Sequence, residues 1–155
     1  MKASEIKESV VRLTRSFAAP RAAVFAAWTE ARHLSHWFGP KGFAIHSCET
    51  DPRPGGTFRL CLRSPQGQDY WVRGVFRELK PPERLVIACT ADDEKGVPRL
   101  EEVIDVTFIE QGAGTELRLL ATARGASPEA ARMLEGMQTG WAQTVARLDA
   151  HLKPE

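Results

Sequence analysis

The side chains of this 155-residue chain that could take part in chemistry are three cysteines, a small group of histidines and the charged residues of its strand-like runs. Cys48, Cys61 and Cys89 each sit alone in an apolar stretch, with no Cys-x-x-Cys pair among them. A histidine partner would make one of them a nucleophile, but isolated strand cysteines are usually inert small hydrophobes, and these read as reduced core thiols. His33 and His36 stand three apart with His46 nearby. Zinc takes three or four N, S or O ligands in a tetrahedral array, and spacing fixes no third ligand here. No nucleophile-and-base pair or phosphate loop is recognisable, so the sequence assigns no catalytic residue, no metal and no cofactor.

The carboxylates Glu49, Asp51, Glu78, Glu102 and Asp105 and the cations Arg15, Arg59 and Arg73 lie in or beside predicted strands. Alternation sends most of them to the solvated outer face. One turned into an apolar cavity would be costly unless it met a partner or a ligand, so any found inside is a functional candidate. In an enzyme of this design, Glu49 or Glu78 is the expected general base, its pKa raised by burial. Glu49 and Asp51 share a face, as do Arg59 and Arg73 if the strand register permits.

The elements that position these groups are mostly strands. Val11, Leu13 and Phe17 alternate with their neighbours as a half-buried strand does. Residues 20–31 switch to helical spacing, with Pro20 in the first turn and Val24, Phe25 and Trp28 as the packing face. Trp28 is expected to lock this helix to the sheet as a core residue. An aromatic turn follows at His36-Trp37-Phe38-Gly39-Pro40. Strands are then predicted over 43–51, 57–63, 70–79, 85–91, 100–110 and 115–123, joined by Pro- and Gly-marked turns such as Pro54-Gly55-Gly56. Short connections favour antiparallel neighbours, since parallel pairs need long crossovers.

The chain closes with one long predicted helix. Ser127 is a good N-cap, Pro128 suits the first helical position and Glu129 the positive end of the dipole. Leu134, Met137, Trp141, Val145, Leu148 and Leu152 form an apolar stripe. Gly136 and Gly140 each cost ~1 kcal/mol against alanine in a helix. They point to close backbone approach or to vacated space.

This order predicts an α+β helix-grip fold. A curved antiparallel sheet of six to seven strands wraps around a long C-terminal helix, with short helices between strands 1 and 2. One domain is expected over 1–155, with a core at about 11–152 and short flexible termini. A concave sheet gripping a rod leaves room for a ligand cavity. Its expected lining is Phe58, Leu60, Leu62, Val72 and Phe76 from the early strands and Val106, Phe108 and Leu117 from the late ones. Met133, Met137 and Trp141 face them from the helix, and Trp37 and Phe38 cap one end. A bulge would exchange the two strand faces.

Composition narrows the partners. Apolar residues are 43% and charged residues 26%, ordinary for a globular chain. A net charge of +1, from 21 basic and 20 acidic residues, leaves no electrostatic footprint for nucleic acid or an anionic membrane. The N-terminal MKASEIKESVV has no apolar core of signal-peptide length and no later stretch is long enough to span a bilayer, so a cytoplasmic location is expected.

Several motifs together resemble a known family. They are Arg15-Ser16-Phe17-Ala18-Ala19-Pro20, Val24-Phe25-Ala26-Ala27-Trp28-Thr29, Trp37-Phe38-Gly39-Pro40, Asp51-Pro52-Arg53-Pro54-Gly55-Gly56, Pro82-Glu83-Arg84-Leu85-Val86 and Gly140-Trp141. In this order they resemble the heat-shock-protein-90 ATPase activator-like family, in its bacterial single-domain form, of the START and birch-pollen-allergen (SRPBCC) superfamily. The resemblance implies the helix-grip fold from about Val11 to Leu152. It also implies binding of a small hydrophobic ligand between sheet and helix, the leading expectation for function. A cyclase or hydratase using the same cavity is the alternative. A protein-interaction module is a third: a homodimer stays open, and a chaperone partner is disfavoured because 155 residues leave no room for the eukaryotic co-chaperone's additional N-terminal domain.

Overall fold

The computed structural model describes residues 6–153. Its elements run β1 (Lys7–Phe17), α1 (Arg21–Thr29), α2 (Ala31–Trp37), β2 (Ala44–Thr50), β3 (Thr57–Arg63), β4 (Asp69–Lys80), β5 (Arg84–Asp92), β6 (Pro98–Gln111), β7 (Gly114–Gly125), α3 (Pro128–Glu135) and α4 (Met137–Leu152). The first five residues and the last two, within the termini expected to be flexible, lie outside the described residues. Among the described residues no helix is long and apolar enough to cross a membrane.

The seven strands form one antiparallel sheet in the order β1-β7-β6-β5-β4-β3-β2. From β2 to β7 each strand pairs with the next, as short hairpin connections require. β1 instead pairs with β7, so β1 and β2 are opposite edges of the sheet. The chain must cross the whole sheet between them, and α1 and α2 are that crossing. Register irregularities at Ile45/Ser47, Phe76/Glu78 and Ala91/Asp92 add local bend to the sheet's twist.

Alternation sets the inner face. Leu100, Ile104, Val106 and Phe108 of β6 are buried, as are Leu117, Leu119, Ala121 and Ala123 of β7. Against them pack Val24, Phe25 and Trp28 of α1, with Val145 and Leu148 of α4. Arg15 of β1 donates to Asp149 of α4 at 3.1 Å, tying the edge strand to the last helix.

Two local expectations need correction. His36 and Trp37, read as part of a turn, complete α2, and the Trp37 indole N–H donates to the Ala27 carbonyl at 3.0 Å, which locks α2 against α1. The single long C-terminal helix is instead two, α3 and α4, with Gly136 between them at φ −87°, ψ −4°. A side chain at Gly136 would meet little within contact distance, so this glycine marks a joint and not a close backbone approach. Ser127 caps α3, accepting from the Ala130 N–H at 3.0 Å.

Candidate functional site

Between α4 and the sheet lies a cavity of about 160 Å³, lined by Phe38, Gly39, Pro40, Leu62, Val72, Glu102, Met137, Gly140, Trp141 and Thr144. On α4, Met137, Gly140, Trp141 and Thr144 recur at three-and-four spacing and so share one face. A side chain at Gly140 would meet nothing within 4 Å, so the missing Cβ leaves this space unfilled. The opposite wall is the loop after α2. Gly39 takes φ +107°, a region open to glycine, and lets the chain turn over Leu62. Arg147 of α4 holds this loop, donating to the Gly39 and Pro40 carbonyls at 2.9 and 3.0 Å.

Glu102 is the one acidic residue of the lining. It lies on β6 in step with Leu100, Ile104, Val106 and Phe108, so the strand's pleat turns it inward with them. Its cross-strand neighbours are small, Cys89 on β5 and Ala123 on β7. The Trp141 indole N–H donates to Glu102 Oε2 at 3.3 Å. Burial in apolar surroundings raises the Glu102 carboxyl from 4.5 to about 7, against a smaller lowering by the Trp141 hydrogen bond. Burial, and then the nearby Glu102 charge, keeps the Cys89 thiol well above its ordinary range.

The expected lining residues divide by depth. Phe38, Leu62, Val72, Met137 and Trp141 line the cavity. Trp37, Phe58, Leu60, Phe76, Val106, Phe108 and Leu117 stand fully buried in the core beyond it. Met133 belongs to α3 and packs partly buried on that core.

The general bases named from the sequence lie elsewhere. Glu49 is exposed on edge strand β2. Glu78 is ion-paired with Lys80 at 3.2 Å and Arg84 at 3.4 Å, and Asp105 with Arg84 at 2.7 Å, away from the cavity. Asp51 pairs with Arg53 at 2.7 Å. Arg59 and Arg73 are direct cross-strand partners, and both guanidinium groups lie over the Trp71 ring, at 4.6 and 5.1 Å from its centroid. Glu102 is missing from the lining expected from the sequence; the signal that points to it is its place on β6, in step with Leu100, Ile104, Val106 and Phe108.

The histidines gather in a different way from the one spacing implied. His33 Nδ1 of α2 is 3.0 Å from His151 Nε2 of α4, and His36 stacks on His151 with ring centroids 5.5 Å apart. Among the described residues no group of three or more His, Cys, Asp or Glu side chains is arranged to hold a metal ion.

A larger depression of about 550 Å³ crosses the sheet, with Arg73, Arg77, Arg124, Glu8, Glu101 and also Glu102 on its walls. Arg73 lies 3.2 Å from Asp92 without hydrogen-bond alignment, and Arg124 pairs with Glu101 at 3.0 Å. Most of its charge is already matched, and it lacks the aromatic wall of the smaller cavity. The smaller one is the candidate ligand site.

Residues 18–153 match the profile of the family described as activator of Hsp90 ATPase homolog 1-like protein. The chain belongs to that family. Protein CV1439 from Chromobacterium violaceum is similar in structure, with a TM-score of 0.77 and 28% identity over 95% of this chain and 99% of its own. Protein NE0264 from Nitrosomonas europaea is 27% identical with a TM-score of 0.73, over 93% and 94% of the two chains. The AHSA1 protein SPO3351 from Silicibacter pomeroyi, at 24% identity, shares the fold with a TM-score of 0.74 over 93% and 97%. No curated protein matches the sequence. The activator-like family has the helix-grip α+β fold of the SRPBCC superfamily, which commonly binds hydrophobic ligands. In this activator-like chain the grip leaves its opening beside Glu102.

Proposed function

We propose that the protein binds a small hydrophobic ligand in the cavity beneath α4, oriented by Glu102 and Trp141. The observation that carries this reading is Glu102 itself, an acid without an ion-pair partner among the described residues, set in an apolar, aromatic-walled space. Burying such a group without compensation costs stability, and that cost is tolerated where function needs it. Apolar burial at ~25 cal/mol per Å² drives binding and the carboxyl fixes orientation. A volume of about 160 Å³ is below the roughly 300 Å³ of common drug-sized sites, so the ligand, or the part of it that enters, is small. Residues 11–152 are the proposed binding unit. The free thiols of Cys48, Cys61 and Cys89 support a reducing, cytoplasmic setting.

Native mass spectrometry of the purified protein tests this reading, with the same sample then denatured. A small molecule released from the wild type and absent from Gly140→Leu supports it. Equal capture by both forms, or a wild type that takes up no offered apolar compound, rejects it.

A second reading has its own support. A carboxyl titrating near 7 is matched to proton transfer at neutral pH, so in a cyclase or hydratase Glu102 is the general base, in place of Glu49 or Glu78. Turnover of a captured compound that stops in Glu102→Gln would favour it over binding alone.

A further inference from the structure

The polar atoms facing the cavity are unequal in kind. Trp141 spends its only N–H on Glu102 Oε2, and among the described residues it is the only donor to that carboxylate. Thr144 spends its hydroxyl hydrogen on the Gly140 carbonyl at 2.8 Å, which leaves its oxygen as an acceptor. Arg147, the nearest cation on α4, is directed at the Gly39 and Pro40 carbonyls and does not line the space. With Glu102 ionised, what a ligand meets is a carboxylate, a hydroxyl oxygen and aromatic surface, with no free side-chain donor and no cation in the lining.

The aromatic surface has a definite shape. The Phe38 and Trp141 rings meet at 90° with centroids 5.9 Å apart, forming a corner beside the carboxylate. Ring faces attract cations, the more so when desolvated. An anionic headgroup would find like charge and no counter-ion in this space. A neutral ligand would leave the carboxylate without a charged partner, whereas a cation supplies one.

We infer that the ligand is a hydrophobic amine or amidine, its protonated nitrogen set on Glu102 in the corner of Phe38 and Trp141 and its apolar body against Leu62, Val72 and Met137. This rests on the ligand-binding reading above and narrows it to one chemical class. Fatty acids and other apolar carboxylates are thereby excluded. The inference also sets the pH behaviour. Cys89 from β5, kept as a thiol, Ala123 from β7 and Trp141 from α4 adjoin Glu102, and Glu102 also borders the larger depression with Arg73, Arg77, Arg124, Glu8 and Glu101; burial and the Trp141 hydrogen bond set its titration, in the neutral range. Binding of an ammonium requires the carboxylate, so acid should weaken it.

The test uses three probes on one frame: 2-phenylethylamine, 2-phenylethanol and phenylacetate, titrated against the full chain at about pH 8 and followed by tryptophan fluorescence and calorimetry. The amine should bind at least about tenfold tighter than the alcohol, with the acid weakest. Glu102→Gln should abolish that preference while still binding the alcohol. In the wild type, amine affinity should fall about tenfold for each pH unit below about 7, and alcohol affinity should not, a readout that needs no variant. An alcohol or acid bound as tightly as the amine, or an amine preference that survives Glu102→Gln, overturns the amine assignment and leaves the cavity reading standing. No binding of any probe overturns both.

Discussion

Trp28 and Trp141 stack with centroids 6.2 Å apart and planes 19° from parallel, yet they belong to two different regions. Trp28, fully buried, sits in a solid aromatic cluster: Trp37 meets it edge-on at 4.9 Å, and Phe38, Phe58 and Phe76 continue the edge-to-face chain. Its indole N–H has no partner among the described residues. Trp141 borders the cavity, and its N–H reaches Glu102. The crossing helices α1 and α2 and the Phe38 after them fill the space around Trp28 with rings, while α4 presents Gly140 beside Trp141 and leaves the adjoining space unfilled. On the proposed function, stability resides in the first region and recognition in the second.

The contrast breaks most severely at Trp28. Trp28→Ala should cost roughly 3–5 kcal/mol in denaturant unfolding, as a large core truncation does. A loss well under 1 kcal/mol would show that the two regions are not divided in this way.

Glu102→Gln should act in the opposite direction. The folded carboxyl titrates at about 7 against an ordinary 4.5, so the folded chain holds a proton in that interval that the unfolded chain releases. Stability is therefore lost as pH rises from about 4.5 through 7. The variant should gain up to about 3 kcal/mol over the wild type near pH 8, and the gain should vanish near pH 4. A pH-independent difference would remove Glu102 from its apolar setting.

Gly140→Leu sharpens the comparison with a smaller change. It should raise stability by up to ~1 kcal/mol through helix propensity and abolish ligand uptake by filling the cavity. The same substitution at Gly136, which is not part of the lining, should leave uptake intact. Loss of uptake in both variants would indicate a displaced helix rather than a filled space.

The smallest effect concerns the contact between α2 and α4. Burial first, and then the neighbouring His33 and His36, lowers the His151 pKa from 6.5. A histidine depressed in the folded state resists a proton that the unfolded chain accepts, so stability falls as pH drops below about 6.5. His151→Gln should flatten that slope slightly in melting temperatures compared between about pH 7 and pH 5.

Strand alternation, the Ser127 cap and the turn residues between strands were enough to lay out the elements in order, because these are local signals. Glu102 was passed over among the charged strand residues, although its step with Leu100, Ile104, Val106 and Phe108 on β6 carries the signal. The depth of the lining was not legible. Phe58, Leu60 and Phe76 face inward as alternation requires, but Trp37, Phe38 and α1 cover them, and coverage depends on how the crossing helices lie. The histidine cluster was hidden for a related reason: His151 is far from His33 and His36 in sequence, and only the packing of α4 on α2 unites them.

By itself the sequence determined an antiparallel meander gripped around terminal helices, because alternation, caps and short turns act between near neighbours in the chain. Tertiary structure alone decided which inward residues close into core and which border a space. That depends on where Gly39, Gly136 and Gly140 let α4 and the loop after α2 come to rest on a curved sheet, a distance relation that no local pattern encodes.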